Sequence, residues 1–287
     1  MNNPPTKPNI TYPINASTLE KDTNTSSVQI NWTSSTDPDG DSIFYRVYAL
    51  YDGLWHLIGE TSNGTVYWDV SGITSQQNVD LYCRACDGED CSDAYNPDGA
   101  LIIDNTPPTA WSNIDESKVY GSPFTVELYA SDNVGNTTIY YCVDQSDTCT
   151  PSTLYDGPFT VDTEGVNYVR FYAEDDVGNT GSIMSNVLKV DLTPPIITVE
   201  SPEGGKTYYN KFTIKINVSD NFGIDRCYYT WEGVTREIPD CNSVTVYGPS
   251  GEGELNVTVY DVAGPVSYTH LRAHETSLHL VCRLLLE

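Results

Sequence analysis

Positive charge is in short supply in this chain. Its 287 residues carry 14 lysines and arginines against 40 aspartates and glutamates, for a formal net charge of −26. Such a surface repels phosphates, which argues against nucleic acid as a partner and suits divalent cations, cationic partners or plain solubility. Histidine is scarce too, with four residues, three of them at His270, His274 and His279. The fourth, His56, stands between Trp55 and Leu57 in a strand-like run. A lone histidine there reads as structural, and no Ser-His-Asp constellation can be assembled around it. Long apolar runs are missing: no stretch approaches 18 residues, so the sequence offers no membrane-spanning helix. The start lacks the charged-then-apolar order of a signal peptide and opens instead on Asn3-Pro4-Pro5. Carboxylates are plentiful, but they fall on turns of separate small units with no cleft between them, as glycoside hydrolysis would need. No catalytic residue is assigned, and the chain is expected not to be an enzyme.

What the sequence does hold is repetition. Asp132-Asn133-Val134-Gly135-Asn136 and Asp175-Asp176-Val177-Gly178-Asn179 share one pattern, and Asp261-Val262-Ala263-Gly264 begins it again before Pro265. Gly135 and Gly178 are expected at positive φ, with Asp and Asn capping the turn. Thr106-Pro107-Pro108 and Thr193-Pro194-Pro195 each follow an apolar run that closes on an aspartate, Asp104 or Asp191. Fixed φ and a missing donor make each Pro-Pro a stiff junction. After each junction one alternating strand recurs, Phe124 to Ala130 and Phe212 to Val218, with a counterpart at Val28 to Trp32. Alternation sends Phe124, Val126, Leu128 and Ala130 inward and Thr125, Glu127 and Tyr129 outward. A second recurring strand points Leu81, Cys83 and Ala85 one way, as it does Val169, Phe171 and Ala173, and Leu255, Val257 and Val259. Short strands, regular turns and no helical period before residue 265 predict an all-β chain of tandem antiparallel sandwiches. The expected units are 1–104, 105–191 and 192–264, the third lacking its last strand and therefore the least stable.

Two family resemblances attach to these units. Residues 8–104 resemble a fibronectin type III domain through Val28-Gln29-Ile30-Asn31-Trp32, Asp37-Pro38-Asp39-Gly40-Asp41 and Phe44-Tyr45-Arg46-Val47-Tyr48. Residues 105–191 resemble the Ig-like module at the C-terminus of chitobiases and in many microbial surface proteins. That likeness is carried by Ile139 to Asp144, Tyr155-Asp156-Gly157-Pro158 and Ala173 to Asn179. Residues 192–264 are similar to a cut copy of a related Ig-like unit, without the Tyr-x-Gly-Pro element. The resemblances imply extracellular spacers or adhesion modules and no chemistry. A different likeness covers the end: residues 266–287 resemble one translated frame of a sequencing adapter, so residues 265–287 are expected to be a non-native tail and 1–264 a fragment. Cys282 and the three late histidines are set aside with it.

The other seven cysteines divide as three, two and two among the units. Cys142 with Cys149, and Cys227 with Cys241, are each spaced to staple one hairpin. In the first unit Cys83 shares the parity of Phe171 and Val257 and is expected free in the core, while outward Cys86 can reach Cys91. The alternative, zinc on Cys83, Cys86 and Cys91, wants a fourth ligand that the unit does not clearly supply. Such disulfides need an oxidising compartment, outside the cell or at its surface. Eight Asn-x-Ser/Thr sequons stand at Asn9, Asn15, Asn24, Asn31, Asn63, Asn136, Asn217 and Asn256; they are glycosylation candidates or the Asn and Thr richness of β-loops. Asp37, Asp39 and Asp41 around Gly40 are the calcium candidate, against the reading of an ordinary Asp-Gly turn. No other cofactor is expected. Outward Tyr129 and Tyr172 could stack on sugar rings, or simply favour a sheet. The expected function is an extracellular stalk or adhesion scaffold, its partners a surface protein, a glycan or neighbouring domains of the same chain. The rivals are accessory modules of a secreted polysaccharide-degrading enzyme and direct carbohydrate binding.

Overall fold

The computed structural model describes residues 2–13, 27–73, 76–94, 101–202, 210–231, 233–247, 253–264, 266–276 and 279–285, with backbone only for 76–78, 253–254 and 266–285. The first unit runs through β1 (Ile10–Tyr12), β2 (Ser27–Trp32), β3 (Phe44–Tyr51), β4 (Leu54–Thr61), β5 (Thr65–Asp69), β6 (Gln76–Cys86) and β7 (Leu101–Ile103). A sheet of order β1-β2-β5 packs on one of order β4-β3-β6-β7. Val28, Ile30 and Trp32 from one side meet Val47, Leu81, Cys83 and Ala85 from the other in a single core. Alternation in both β2 and β6 is what makes this two-layer packing possible: every second side chain is apolar, so one face of each sheet is buried.

The second unit comprises β8 (Thr109–Ser112), β9 (Val119–Tyr120), β10 (Phe124–Val126), β11 (Leu128–Ser131), β12 (Thr137–Asp144), β13 (Thr153–Leu154), β14 (Phe159–Val161), β15 (Gly165–Asp175) and β16 (Met184–Val190). Its large sheet has order β13-β12-β15-β16-β9, opposed by the pairs β10-β14 and β11-β8. Only β16 with β9 is parallel among the described pairings. Val126, Leu128, Val169, Phe171, Ala173 and Leu188 are buried in its core, with Phe124 and Ala130 packed against them. The alternating run from Phe124 to Ala130 is one strand in sequence but two in space, broken at Glu127. Asn113 causes the break: its Oδ1 accepts from the Glu127 amide at 3.0 Å while its Nδ2 donates to the Thr125 carbonyl at 3.0 Å. A side-chain amide thus satisfies backbone groups that a neighbouring strand would otherwise pair.

The third unit holds β17 (Ile196–Ser201), β18 (Lys211–Ser219), β19 (Ile224–Trp231), β20 (Val234–Glu237), a 3-10 turn at Pro239–Cys241, β21 (Ser243–Tyr247), β22 (Gly253–Asp261), β23 (Val266–Thr276) and β24 (His279–Leu285). Order β17-β18-β21 faces β20-β19-β22-β23-β24. Phe212, Ile214, Ile216, Leu255, Val257 and Val259 are buried as their alternation requires. Residues of the expected tail lie on the edge of this sheet: β23 pairs along β22 from Tyr260 with Val266 to Gly253 with Ala273, and β24 extends the sheet. The physical reason is that the edge of β22 presents unpaired N–H and C=O groups, on which any extended segment following the turn can pair. No described helix is long and apolar enough to cross a membrane.

Candidate functional site

Six aspartates from the strand ends gather into two groups. Asp104 follows β7, Asp132 follows β11 and Asp175 closes β15, while Asp191 follows β16, Asp220 follows β18 and Asp261 closes β22. Within each group one carboxylate oxygen from every residue lies within 4.8 Å of the other two. One residue of each group comes from the end of one sandwich and two from the loops of the next, so both groups lie at the Thr-Pro-Pro junctions.

Each aspartate uses one of its two oxygens in the same way. One caps its own turn: Asp104 Oδ1 accepts from the Thr106 amide at 3.0 Å, Asp132 Oδ2 from Val134 at 2.9 Å, and Asp175 Oδ1 from Val177 at 2.9 Å and Asn179 at 2.8 Å. In the second group Asp191 Oδ1 accepts from Thr193 at 3.3 Å, Asp220 Oδ1 from Phe222 at 2.8 Å and Gly223 at 2.9 Å, and Asp261 Oδ1 from Ala263 at 2.8 Å and Gly264 at 2.7 Å. The other oxygen differs. Asp132 Oδ1 and the Oδ2 atoms of Asp191, Asp220 and Asp261 are buried and accept nothing. Asp191 and Asp261 are 0% and 2% exposed. Two such charges at this separation repel by about 3–4 kcal/mol per pair at an effective dielectric near 20. Accordingly, burial first and then the charges of Asp220, Asp261 and Glu164 push the Asp191 carboxyl up to about 6, though the Thr193 amide opposes this. Asp261 is raised by burial and by Asp220, against the pull of its turn amides.

Neighbouring contacts hold the junctions together. Asn179 Nδ2 donates to Asp175 Oδ2 at 2.7 Å and to the Asp104 carbonyl of the preceding unit at 3.0 Å. Glu164 of the second unit accepts from Asn221 of the third at 2.6 Å and from the Leu192 amide at 3.1 Å. Pro108 and Pro195 are buried. Gly135 and Gly178 take φ of 79° and 86°, the left-handed region their turns demand.

The calcium candidate of the first unit is built differently. Asp37 Oδ1 accepts from the amides of Asp39 at 2.8 Å and Asp41 at 3.1 Å, and Asp39 Oδ2 accepts from the Asn3 backbone amide at 2.7 Å. Asp37, Asp39 and Asp41 are in neither converging group. The loop is a capped turn with Gly40 at φ 86°. Its position after β2 nevertheless matches that of Asp132 after β11 and Asp220 after β18, and Asp37 Oδ2 is likewise buried without a partner. Asp37, Asp39 and Asp41 stand close together in the chain, whereas the converging aspartates are far apart in it, and their mark in the sequence is the aspartate that closes each apolar run before Thr-Pro-Pro.

Disulfides join Cys86 to Cys91, Cys142 to Cys149 and Cys227 to Cys241. Cys83 is free and buried, its thiol pushed up to about 12 by burial. Zinc on Cys83, Cys86 and Cys91 is therefore set aside, since two of the three sulfurs are bonded to each other. Cys86 lies off the core face as its parity implies, yet it is buried too, because the loop back to Cys91 covers it. Of the sequons, Asn9, Asn63, Asn136 and Asn217 are exposed and Asn31 and Asn256 half-buried. Asn15 and Asn24 lie outside the described residues. His56 stacks on Tyr51 with ring centroids 3.9 Å apart. Tyr129 stacks on exposed Trp111 at 5.8 Å and donates to Glu127, while half-buried Tyr172 stacks on Tyr140 at 5.4 Å.

No protein-family model matches the chain. Hyalin of Strongylocentrotus purpuratus is 24% identical over 276 residues, a match covering 90% of this chain and 20% of hyalin, so the chain spans about a fifth of that relative's length. Among solved structures, the fibronectin(III)-like modules of Clostridium thermocellum CbhA share 16% identity at a TM-score of 0.31, covering 64% of this chain and 94% of that one. A Ca2+-stabilized adhesin of an ice-binding Antarctic bacterium shares 16% identity at a TM-score of 0.35, covering 94% of this chain and 72% of that one. Sheet order, alternation and three separate cores define the class: a tandem series of fibronectin type III-like and Ig-like β-sandwiches. Three disulfides in such a series fit an extracellular scaffold or adhesion module.

Proposed function

We propose that this chain is a non-catalytic extracellular scaffold that holds other elements at a fixed distance from a surface. The observation that carries the reading is that every unit has its own core and its own disulfide, and meets the next through a short Pro-Pro junction lined with carboxylates. Each unit can then bear tension independently, and the staples limit how far an unfolded unit extends. Single-molecule pulling tests this: three separate unfolding steps are expected, each releasing more chain after reduction of the disulfides. One cooperative step unaffected by reductant would contradict it.

The exposed stack of Trp111 and Tyr129 favours a second reading, in which the second unit also contacts glycans. Its ring faces suit sugar stacking. Glycan-array binding that disappears in Trp111→Ala and Tyr129→Ala supports it, and an empty array removes it.

A further inference from the structure

We infer that the two junction triads are Ca2+ sites, one ion held by Asp104, Asp132 and Asp175 and a second by Asp191, Asp220 and Asp261. The second group carries the inference most directly. Its three Oδ2 atoms are buried without a hydrogen-bond partner, and none of the ion pairs among the described residues includes any of the three. Buried charges in native structures are paired or coordinate metals. In sequence Pro265 falls four residues after Asp261, as Asn179 does after Asp175, and proline has no side-chain donor; this bears on Asp261 Oδ2 alone and leaves Asp191 and Asp220 unexplained.

The donor chemistry selects the ion. All three side-chain ligands are hard carboxylate oxygens, with neither nitrogen nor sulfur among them, which disfavours zinc. Oxygens on opposite sides of a Ca2+ stand about 4.8 Å apart at ligand distances near 2.4 Å, so groups held within that limit can share one ion. Waters and backbone carbonyls would complete its six to eight ligands. Fixing one oxygen of each carboxylate in a turn leaves the other preorganised; the same turn caps recur in the first group, where Asp132 Oδ1 is the buried oxygen without a partner and Asn179 Nδ2 donates to Asp175 Oδ2. At the outer end of the first unit Asp37 and Asp87 hold two of the corresponding positions. The two groups among the described residues give two ions. These sites deepen the scaffold reading and rest on it only for the compartment, where Ca2+ suffices for sites with Kd on the order of 10⁻⁴–10⁻³ M.

The test is calorimetric titration of the full chain, stripped with chelator and held near physiological salt, with CaCl2 and separately with MgCl2. Two Ca2+ sites are expected, one in Asp220→Asn, none in Asp132→Asn with Asp220→Asn, and two in the exposed control Asp41→Asn. Asp220→Asn also removes a repelling buried charge, so its thermal midpoint should rise in chelator while its response to Ca2+ shrinks. A residue with only a structural role would not produce that crossing. No binding at millimolar Ca2+ overturns the inference, and so does a double variant that still binds two ions, or Mg2+ binding as tightly as Ca2+. Either of these last two results would assign the effect to diffuse screening of the −26 charge.

Discussion

Asp144 organises the loop between Cys142 and Cys149 almost alone. Its Oδ1 accepts from the Asp147 amide at 2.9 Å, and its Oδ2 from the amides of Thr148 at 3.0 Å and Cys149 at 2.9 Å and from the Ser146 hydroxyl at 2.8 Å. Burial pushes its carboxyl up, but these donors together outweigh that and hold it well below the usual carboxylate range. Because the folded value is depressed, the stabilisation is fully present above the ordinary carboxylate pKa of about 3.9 and is lost as pH falls through the folded value. Asp144→Asn should thus lower the melting midpoint near neutral pH, with the difference closing in acid. A difference that stays constant with pH would refute this. At the same scale, Cys83 should resist thiol reagents in the native chain and react only on unfolding, as peptide-resolved labelling would reveal. Its burial was legible because alternation along Leu81, Cys83 and Ala85 leaves no other face. The junction aspartates were not legible as a group, since each caps a turn in its own unit and only the meeting of two sandwiches brings three together.

Among the elements, β6, β15 and β22 are equivalent, and their apolar positions were readable from alternation alone. Phe171→Ala, at a fully buried position of β15, should cost about 3–5 kcal/mol and unfold the second unit first, which calorimetry can resolve. Break points were harder to read. The split between β10 and β11 depends on Asn113, whose amide lies outside the alternating run and gives no periodic signal. Replacing Cys227 and Cys241 together by Ala should cost about 3 kcal/mol, more than removing the Cys86–Cys91 link, because the closed loop is longer. Chemical denaturation of the two double variants gives the order, and equal losses would mean that chain entropy is not what these links restrain. The hairpin of β23 and β24 shows where sequence likeness and pairing diverge: resemblance set residues 265–287 apart, yet an open strand edge accepts a neighbour on backbone groups alone.

For the whole molecule, the repeat count, the sandwich class and the Pro-Pro junctions were all legible, because each leaves a local mark: alternation, turn glycines and proline pairs. What holds the junctions is a property of the assembled chain. A stapled series of sandwiches projecting end to end has a scattering signature that small-angle X-ray measurements on the full chain, in Ca2+ and in chelator, can read. A compact body of this length would have a radius of gyration of about 19 Å. A value well above that is expected in Ca2+, with a rod-like profile that becomes more flexible when the ion is removed. A value near 19 Å under both conditions would contradict the scaffold, even if calorimetry still counted two bound ions.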